Sequence, residues 1–121
     1  MMKRHIVTFK AFDVVVVPFP FTDRTTTKRR PALVLSNENT FNRKVGQSVL
    51  AMITSAKNLD WPLDTNIQDL DAAGLPSDSV VRMKLFTLDD RLVLRKAGQL
   101  SSRDKQAAQA ALQELLDVEY S

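Results

Sequence analysis

Short apolar runs, broken by polar segments and prolines, make up most of the chain. Residues 12–18 contain four consecutive valines, and such β-branched residues favour a strand that is buried on both faces. Pro18 and Pro20 end its regular pairing because proline has no N–H to donate. A second strand is predicted at 31–36, with Pro31 in the first position, where the missing N–H is tolerated.

Polar segments separate these strands from the later ones. Residues 22–30 contain no apolar side chain and are predicted to form a surface loop, and 37–46 form a second polar connection. Further strands are predicted at 47–53, 63–67, 79–86 and 92–97, with a turn at Gly74. In the strand 79–86 the alternation places Val81, Met83 and Leu85 on one face and Arg82 and Lys84 on the other.

The C-terminal region changes from a strand period to a helical period. Ser101 and Asp104 resemble a capping box. The apolar residues that follow predict an amphipathic helix of about 15 residues; they are Ala108, Ala111, Leu112 and Leu115. The predicted fold is mainly β, a small, strongly curved antiparallel sheet or barrel with a C-terminal helix packed on it.

Length and composition fit one soluble domain over residues 1–121, with 1–10 expected to be a flexible tail. The longest apolar run, 14–21, is interrupted by prolines and too short to cross a bilayer, so no membrane partner is expected. The chain has no cysteine, which fits a cytoplasmic protein.

Positive charge is concentrated near the first predicted hairpin. Residues 1–30 hold seven basic and two acidic side chains, whereas the rest of the chain holds ten basic and twelve acidic ones. Such a cluster fits a surface that faces a phosphate backbone. Charge alone fits a solvated basic loop equally well.

The residue inventory excludes several kinds of chemistry. His5 is the only histidine, so one chain cannot supply a histidine acid–base pair or a zinc site of the His/Cys type. The three glycines stand far apart and form no phosphate-binding loop. The aspartates are irregularly spaced and fall mostly in predicted turns, where Asp is common. We therefore expect no metal and no cofactor.

Guanidinium and hydroxyl groups remain as candidates. Arg30 precedes Pro31, which restricts its backbone and gives the side chain a defined direction. Its planar fork is suited to phosphate oxygens, although a salt bridge to a surface carboxylate is an equal alternative. Thr54 and Ser55 follow the third strand at a rim where a hydroxyl can reach a phosphate or ribose; the alternative is an ordinary strand terminus.

Three segments in order resemble the MazF/PemK family of toxin endoribonucleases. They are residues 14–23 (VVVVPFPFTD), 28–36 (KRRPALVLS) and 51–55 (AMITS), with weaker matches at 74–75, 78–82, 87–89 and 97–101. The resemblance covers nearly the whole chain. It implies an SH3-like small barrel of the MazF/PemK/CcdB kind, a homodimer that binds single-stranded RNA between its subunits, and inhibition by a cognate antitoxin.

The family resemblance also implies a reaction and a catalytic pair. Sequence-specific cleavage proceeds without a metal, by attack of a ribose 2′-hydroxyl on the adjacent phosphate, and leaves a 2′,3′-cyclic phosphate. The catalytic positions correspond to Arg30, which stabilises the phosphate and assists proton transfer, and Thr54, which orients the phosphate.

Further residues are predicted to bind RNA. Basic or polar candidates near the loop are Arg24, Lys28, Arg29 and Ser55. Candidates for stacking on unpaired bases are Phe19, Phe21 and Trp61; the alternative for the two phenylalanines is packing against the barrel or a partner subunit. Arg82 and Lys84 are candidates for flanking phosphates, with a solvated face as the alternative.

The chain departs from the family pattern at Phe12, where relatives have glycine, and in its glycine-free loop 22–30. Two alternatives use the same barrel. One is a protein poison of the gyrase-inhibiting type, which acts through a C-terminal tryptophan, but the only tryptophan here is Trp61. The other is an inactive RNA-binding barrel, against which the presence of both Arg30 and Thr54 argues.

Overall fold

A single antiparallel sheet organises the computed structural model, which describes residues 7–19 and 28–117. Its six strands are β1 (Asp13–Pro18), β2 (Arg29–Val34), β3 (Gln47–Ser55), β4 (Thr65–Asn66), β5 (Ser79–Asp89) and β6 (Arg95–Gln99), in the spatial order β4-β5-β3-β2-β1-β6. The helical elements are a π-turn (Glu38–Asn42) that continues into α1 (Arg43–Val45), then α2 (Leu70–Ala73), a 3₁₀ turn (Asp90–Leu92) and α3 (Ser102–Leu116). The sheet curls into a half-barrel, and the mainly β fold with a C-terminal helix is confirmed.

Alternate residues of the central strands pack into two apolar clusters, one on each face of the sheet. Val14 lies in the cluster beneath α3, whereas Val15 and Val17 lie in the cluster on the opposite face. The prediction of a strand buried on both faces is therefore confirmed for β1. We call the two sides the helix face, which α3 covers, and the open face, which it does not cover.

The helix α3 begins at the predicted N-cap. The Ser101 hydroxyl accepts a hydrogen bond from the Asp104 N–H at 3.3 Å. The Asp104 carboxylate accepts backbone N–H bonds from Gln68 and Asp69, at 3.0 and 2.9 Å, and so ties the helix to the segment after β4. Ala108 and Ala111 are buried, but Leu115 is 39% exposed. The apolar face that α3 buries is therefore shorter than the one predicted from the sequence.

Several boundaries differ from those expected. The segment 37–46 is helical because the Asn37 side chain caps it, accepting from the N–H groups of Asn39 and Thr40, each at 2.9 Å. The strand β2 begins at Arg29, before Pro31, and β6 begins at Arg95 because the 3₁₀ turn occupies the start of the predicted strand. Only Thr65–Asn66 of the predicted strand 63–67 pair.

A bulge in β5 lies just before Leu85. The register places Ala51 opposite Leu85 but Met52 opposite Arg82, so two residues of β5 lie between these pairs without a counterpart. Bulges bend a strand, and Leu85, which follows, is 39% exposed. Leu85 lies opposite Ala51, which packs in the helix-face cluster with Val81 and Met83, so the predicted shared face is confirmed, although Leu85 itself is exposed.

The N-terminal segment is packed where it is described. Phe9 is 6% exposed, and its carbonyl accepts a 2.9 Å hydrogen bond from the buried Asn42 amide. The Lys10 N–H donates to the Asp13 carboxylate at 2.9 Å. The expected flexible tail over 1–10 therefore does not extend to Phe9, and residues 1–6 lie outside the described part of the chain.

Two glycines allow α2 to approach β6 closely. A Cβ on Gly74 would lie 2.1 Å from the Ala97 carbonyl oxygen, and one on Gly98 would lie 2.3 Å from the Ala72 carbonyl oxygen. Gly74 also has a φ of +71°, which disfavours other residues. Gly74, at the end of α2, thus leaves space for the backbone of β6, and Gly98, in β6, leaves space for the backbone of α2.

Candidate active site

The two predicted catalytic residues lie at one end of the sheet and on the same face. Arg30 pairs with Val17 across β1 and β2, and Thr54 pairs with Val80 across β3 and β5. The β2–β3 register, with Ala32 opposite Met52, places Arg30 opposite Thr54 when it is continued by two residues. Directly opposed residues share a face. Because Ala32 packs in the open-face cluster, both side chains point to the open face.

Arg30 is exposed and next to an aromatic ring. Its guanidinium carbon lies 5.9 Å from the centroid of the Phe19 ring. The hairpin beneath it is closed by a 3.0 Å bond from the Phe19 N–H to the Lys28 carbonyl. None of the ion pairs between residues in the described ranges involves Arg30. Within those ranges, its guanidinium is not held by the surface carboxylate that was the alternative.

Thr54 is half-buried and hydrogen-bonded to a residue that the sequence did not suggest. Its Oγ1 accepts from the Asn58 side-chain amide at 2.5 Å. Asn58 follows at a spacing of four residues in a turn, and polar residues in turns are too common to be informative. No pattern in the sequence pointed to this contact.

Trp61 lies against two basic side chains of β5. The Arg82 guanidinium carbon lies 5.8 Å and the Lys84 ammonium 4.5 Å from its ring centroid, within the range of cation–π contacts. The even-numbered residues of β5 before the bulge share the face of Met52 and Thr54, so this aromatic ring belongs to the open face. Trp61 is 41% exposed, which leaves surface for a further partner.

Arg82 is bound within the protein. Its Nε and Nη2 donate to the Asp64 carboxylate at 3.2 and 2.9 Å, and Nη2 also donates to the Leu59 carbonyl at 2.5 Å. Its side chain is 11% exposed. The hydrogen bond to Asp64 raises the pKa of Arg82 above its usual range. Arg82 therefore holds the loop after β3, and neither the flanking-phosphate nor the solvated-face expectation describes these contacts; Lys84 is exposed.

Two of the predicted RNA-binding residues point to the helix face. Arg29 alternates with Arg30 along β2 and lines a notch of about 230 Å³ together with Arg95, Pro31 and the turn at Gly74. Ser55 alternates with Thr54, and its hydroxyl accepts from the Lys57 N–H at 3.2 Å. Lys28 is exposed at the base of the hairpin. Arg24 and Phe21, with most of the loop 22–30, lie outside the described residues.

Other features lie away from the predicted site residues. A cleft of about 820 Å³ opens between residues 7–10 and 89–96, and no predicted site residue lines it. Within residues 7–19 and 28–117, no three His, Cys, Asp or Glu side chains lie close enough together to hold a metal ion. No helix in the described part of the chain is long and apolar enough to span a membrane.

A small curled sheet with a C-terminal helix is also the fold of solved MazF structures. The MazE–MazF complex (Form-II) from Deinococcus radiodurans superposes with a TM-score of 0.72 at 21% identity, over 93% of this chain and 99% of that chain. An endoribonuclease with its cognate antitoxin from a mycobacterial species gives 0.72 at 16% identity, over 94% and 98%. Mycobacterium tuberculosis toxin MazF-mt6 gives 0.69 at 20% identity, over 89% and 99%.

The chain belongs to the family of PemK-like, MazF-like toxins of type II toxin–antitoxin systems, whose family model matches residues 10–116. This confirms the resemblance inferred from the three sequence segments. No curated protein matched the chain closely enough to count as a relative.

Proposed function

We propose that this toxin is a sequence-specific endoribonuclease that cleaves single-stranded RNA without a metal ion. The observation that carries the proposal is that Arg30 and Thr54 lie on the open face near one end of the sheet, where the Ala32–Met52 register, extended by two residues, would set them opposite each other. A guanidinium and a hydroxyl at neighbouring positions supply hydrogen-bond donors from two sides to one phosphate group.

The proposed reaction uses a nucleophile that RNA itself supplies. The ribose 2′-oxygen gives up its proton and attacks the adjacent phosphorus, the bond to the 5′-oxygen breaks, and that oxygen takes up a proton, so the products are a 2′,3′-cyclic phosphate and a 5′-hydroxyl end. Negative charge builds on the non-bridging oxygens in the transition state. Arg30 is charged at all relevant pH values, so it stabilises that charge, while Thr54 orients the phosphate.

The surroundings of the pair fit a single-stranded substrate. Trp61 presents a partly exposed ring on the same face, and unpaired bases stack on such rings. Phe19, half-buried beside Arg30, is a second candidate. Arg29 and Lys28, with the neighbouring Arg95, are proposed to contact backbone phosphates along the sheet end.

The family and its solved structures support a proposal about partners. The Deinococcus radiodurans and mycobacterial neighbours were determined with MazE and with a cognate antitoxin. We therefore propose that a cognate antitoxin inhibits this chain, and further that the active form is a homodimer and that the protein acts in the cytoplasm.

The proposal is tested by incubating purified protein with single-stranded RNA in excess EDTA and sequencing the cleaved ends. We expect cleavage at a defined sequence, with 2′,3′-cyclic phosphate and 5′-hydroxyl ends. Loss of activity in EDTA that magnesium restores would show that the mechanism is wrong. Uncut RNA under every condition would favour the inactive RNA-binding alternative.

A further inference from the structure

The contact between Asn58 and Thr54 determines where the Thr54 proton can point. A threonine hydroxyl has one proton to donate and two lone pairs that accept. The amide nitrogen of Asn58 can only donate, so in the 2.5 Å contact the oxygen of Thr54 is the acceptor. The hydroxyl proton therefore stays available for a different acceptor.

The turn that carries Asn58 is held on both sides. The Asn58 N–H donates to the Ser55 carbonyl at 3.1 Å, and the Ala56 N–H donates to the Asp78 carbonyl at 3.0 Å. The next carbonyl along the chain, that of Leu59, accepts from Arg82 at 2.5 Å. These bonds fix the backbone from which the Asn58 side chain reaches back to Thr54.

We propose that Asn58 is a positioning residue, which occupies a lone pair of the Thr54 oxygen and so directs its proton toward a non-bridging oxygen of the phosphate being cut. This inference rests on the proposed RNA cleavage. A free hydroxyl rotates among staggered positions, whereas a donor that is already oriented needs no reorganisation when charge develops. A phosphate is the matching acceptor because its oxygens carry no proton at neutral pH and Arg30 on the same face attracts it.

Three variants separate this role from a structural one. Asn58→Ala removes the donor, and we expect kcat to fall about fivefold to tenfold, the size expected for one lost hydrogen bond. Asn58→Asp keeps the shape but presents a carboxylate, which only accepts and therefore draws the Thr54 proton inward. For this variant we expect a fall in kcat of about 10²-fold, comparable to removing an oriented donor.

Lys57→Ala is the matched control for charge. It changes the net charge by the same amount as Asn58→Asp at the neighbouring position, and the Lys57 contact to Ser55 uses only its backbone N–H. We expect it to alter KM more than kcat. A fall in kcat as large as that of Asn58→Asp would overturn the proposal, because charge alone would then explain the effect.

The pH dependence gives a second readout that a merely structural role would not change. A protonated carboxylic acid can donate, so the activity of Asn58→Asp relative to wild type should recover as the pH falls toward about 3.9, the ordinary pKa of aspartate. If Asn58→Asp is as active as wild type at neutral pH, the amide has the opposite orientation and the inference is wrong. In a Thr54→Val background, both Asn58 substitutions should have no further effect on residual cleavage.

The hydrogen bond can also be checked without RNA. The side-chain amide resonances of Asn58 should shift between wild type and Thr54→Val in NMR spectra of the free protein. Unchanged resonances would overturn the positioning role even if wild-type protein cleaves RNA. Shifted resonances in a protein that cuts no RNA would overturn both the proposed function and the catalytic use of this contact, while leaving the contact itself established.

Discussion

Alternation along β2 gives two neighbouring arginines different surroundings. Arg30 points to the open face beside Phe19, whereas Arg29 lines the notch on the helix face. Pro31, which follows Arg30, is half-buried, and the three residues after it are buried. This end of β2 is therefore anchored in the core, which fixes the faces to which Arg29 and Arg30 point. Arg29 therefore cannot take the place of Arg30, although it is adjacent in the chain and has the same side chain.

We accordingly expect Arg30→Ala to lower the cleavage rate by at least about 10²-fold, since one oriented donor to a charged transition state is worth that much. The side chain is exposed, so the midpoint of thermal unfolding should stay close to that of wild type. Arg103→Ala is the control, because Arg103 lies on α3 and donates to Gln68. Cleavage by Arg30→Ala at the wild-type rate would show that the site is elsewhere.

A buried carboxylate predicts a pH effect on stability. Burial raises the pKa of Asp90 above its ordinary 3.8, while a hydrogen bond from the Ser48 hydroxyl at 2.7 Å opposes the shift. Between 3.8 and the raised pKa, the folded state holds a proton that the unfolded chain has lost. The contribution of Asp90 to the free energy of unfolding therefore falls as the pH rises through this window.

Asp90→Asn removes this titration and keeps an oxygen that can accept from Ser48. We expect its stability to fall less than that of wild type as the pH rises above 3.8. Urea unfolding midpoints measured from about pH 4 to pH 7 give the comparison. Parallel curves for the two proteins would show that Asp90 titrates normally.

At the scale of elements, the loop after β3 depends on an ion pair with β5. Asp64 accepts two bonds from Arg82 and a third, at 3.1 Å, from the Trp61 N–H. One carboxylate thus joins the strand to the loop that carries Trp61. Arg82 also contacts the carbonyl next to Asn58, so the loop orientation and the Thr54 contact are coupled.

Asp64→Asn should loosen this loop because an amide carries no charge and has only one oxygen, so it cannot accept both guanidinium bonds from Arg82. We expect a lower unfolding midpoint, a shift in the fluorescence of Trp61, which is the only tryptophan, and slower cleavage. Asp60→Asn is the control, since Asp60 acts on Arg82 through charge alone. Equal effects of both variants would mean that net charge matters and the bonds do not.

The sequence predicted the strands better than the contacts between loops. The valines of β1 and the N-cap at Ser101 are local signals, and both are confirmed. The helical segment after β2 was missed because it lacks a periodic apolar face, although Asn37 and Gly46 stand at its ends as typical caps. The role of Asp64 depends on Arg82, eighteen residues away, and no local pattern encodes such a pair.

For the whole molecule, the proposed RNA surface extends from the open face around the end of the sheet to Arg29. Each phosphate contact with single-stranded RNA adds about 0.7 to the slope of log K against log salt concentration. Arg29→Ala should therefore reduce that slope by about 0.7, measured by binding of RNA to protein carrying Arg30→Ala so that no cleavage occurs. The same slope with and without Arg29 would place the RNA entirely on the open face.

The close packing at Gly74 and Gly98 has a consequence for the mutations that inactivate the toxin. Because Gly74 and Gly98 make room for each other's backbone neighbours, a larger residue at either position forces α2 and β6 apart, and no change at the other glycine relieves the clash. A mutation that inactivates a toxin lets a cell survive its expression. Among survivors, we expect substitutions at these two glycines to recur beside those at Arg30, although neither glycine offers a side chain to RNA. Their low protein levels would distinguish them from survivors that carry a folded but inactive toxin.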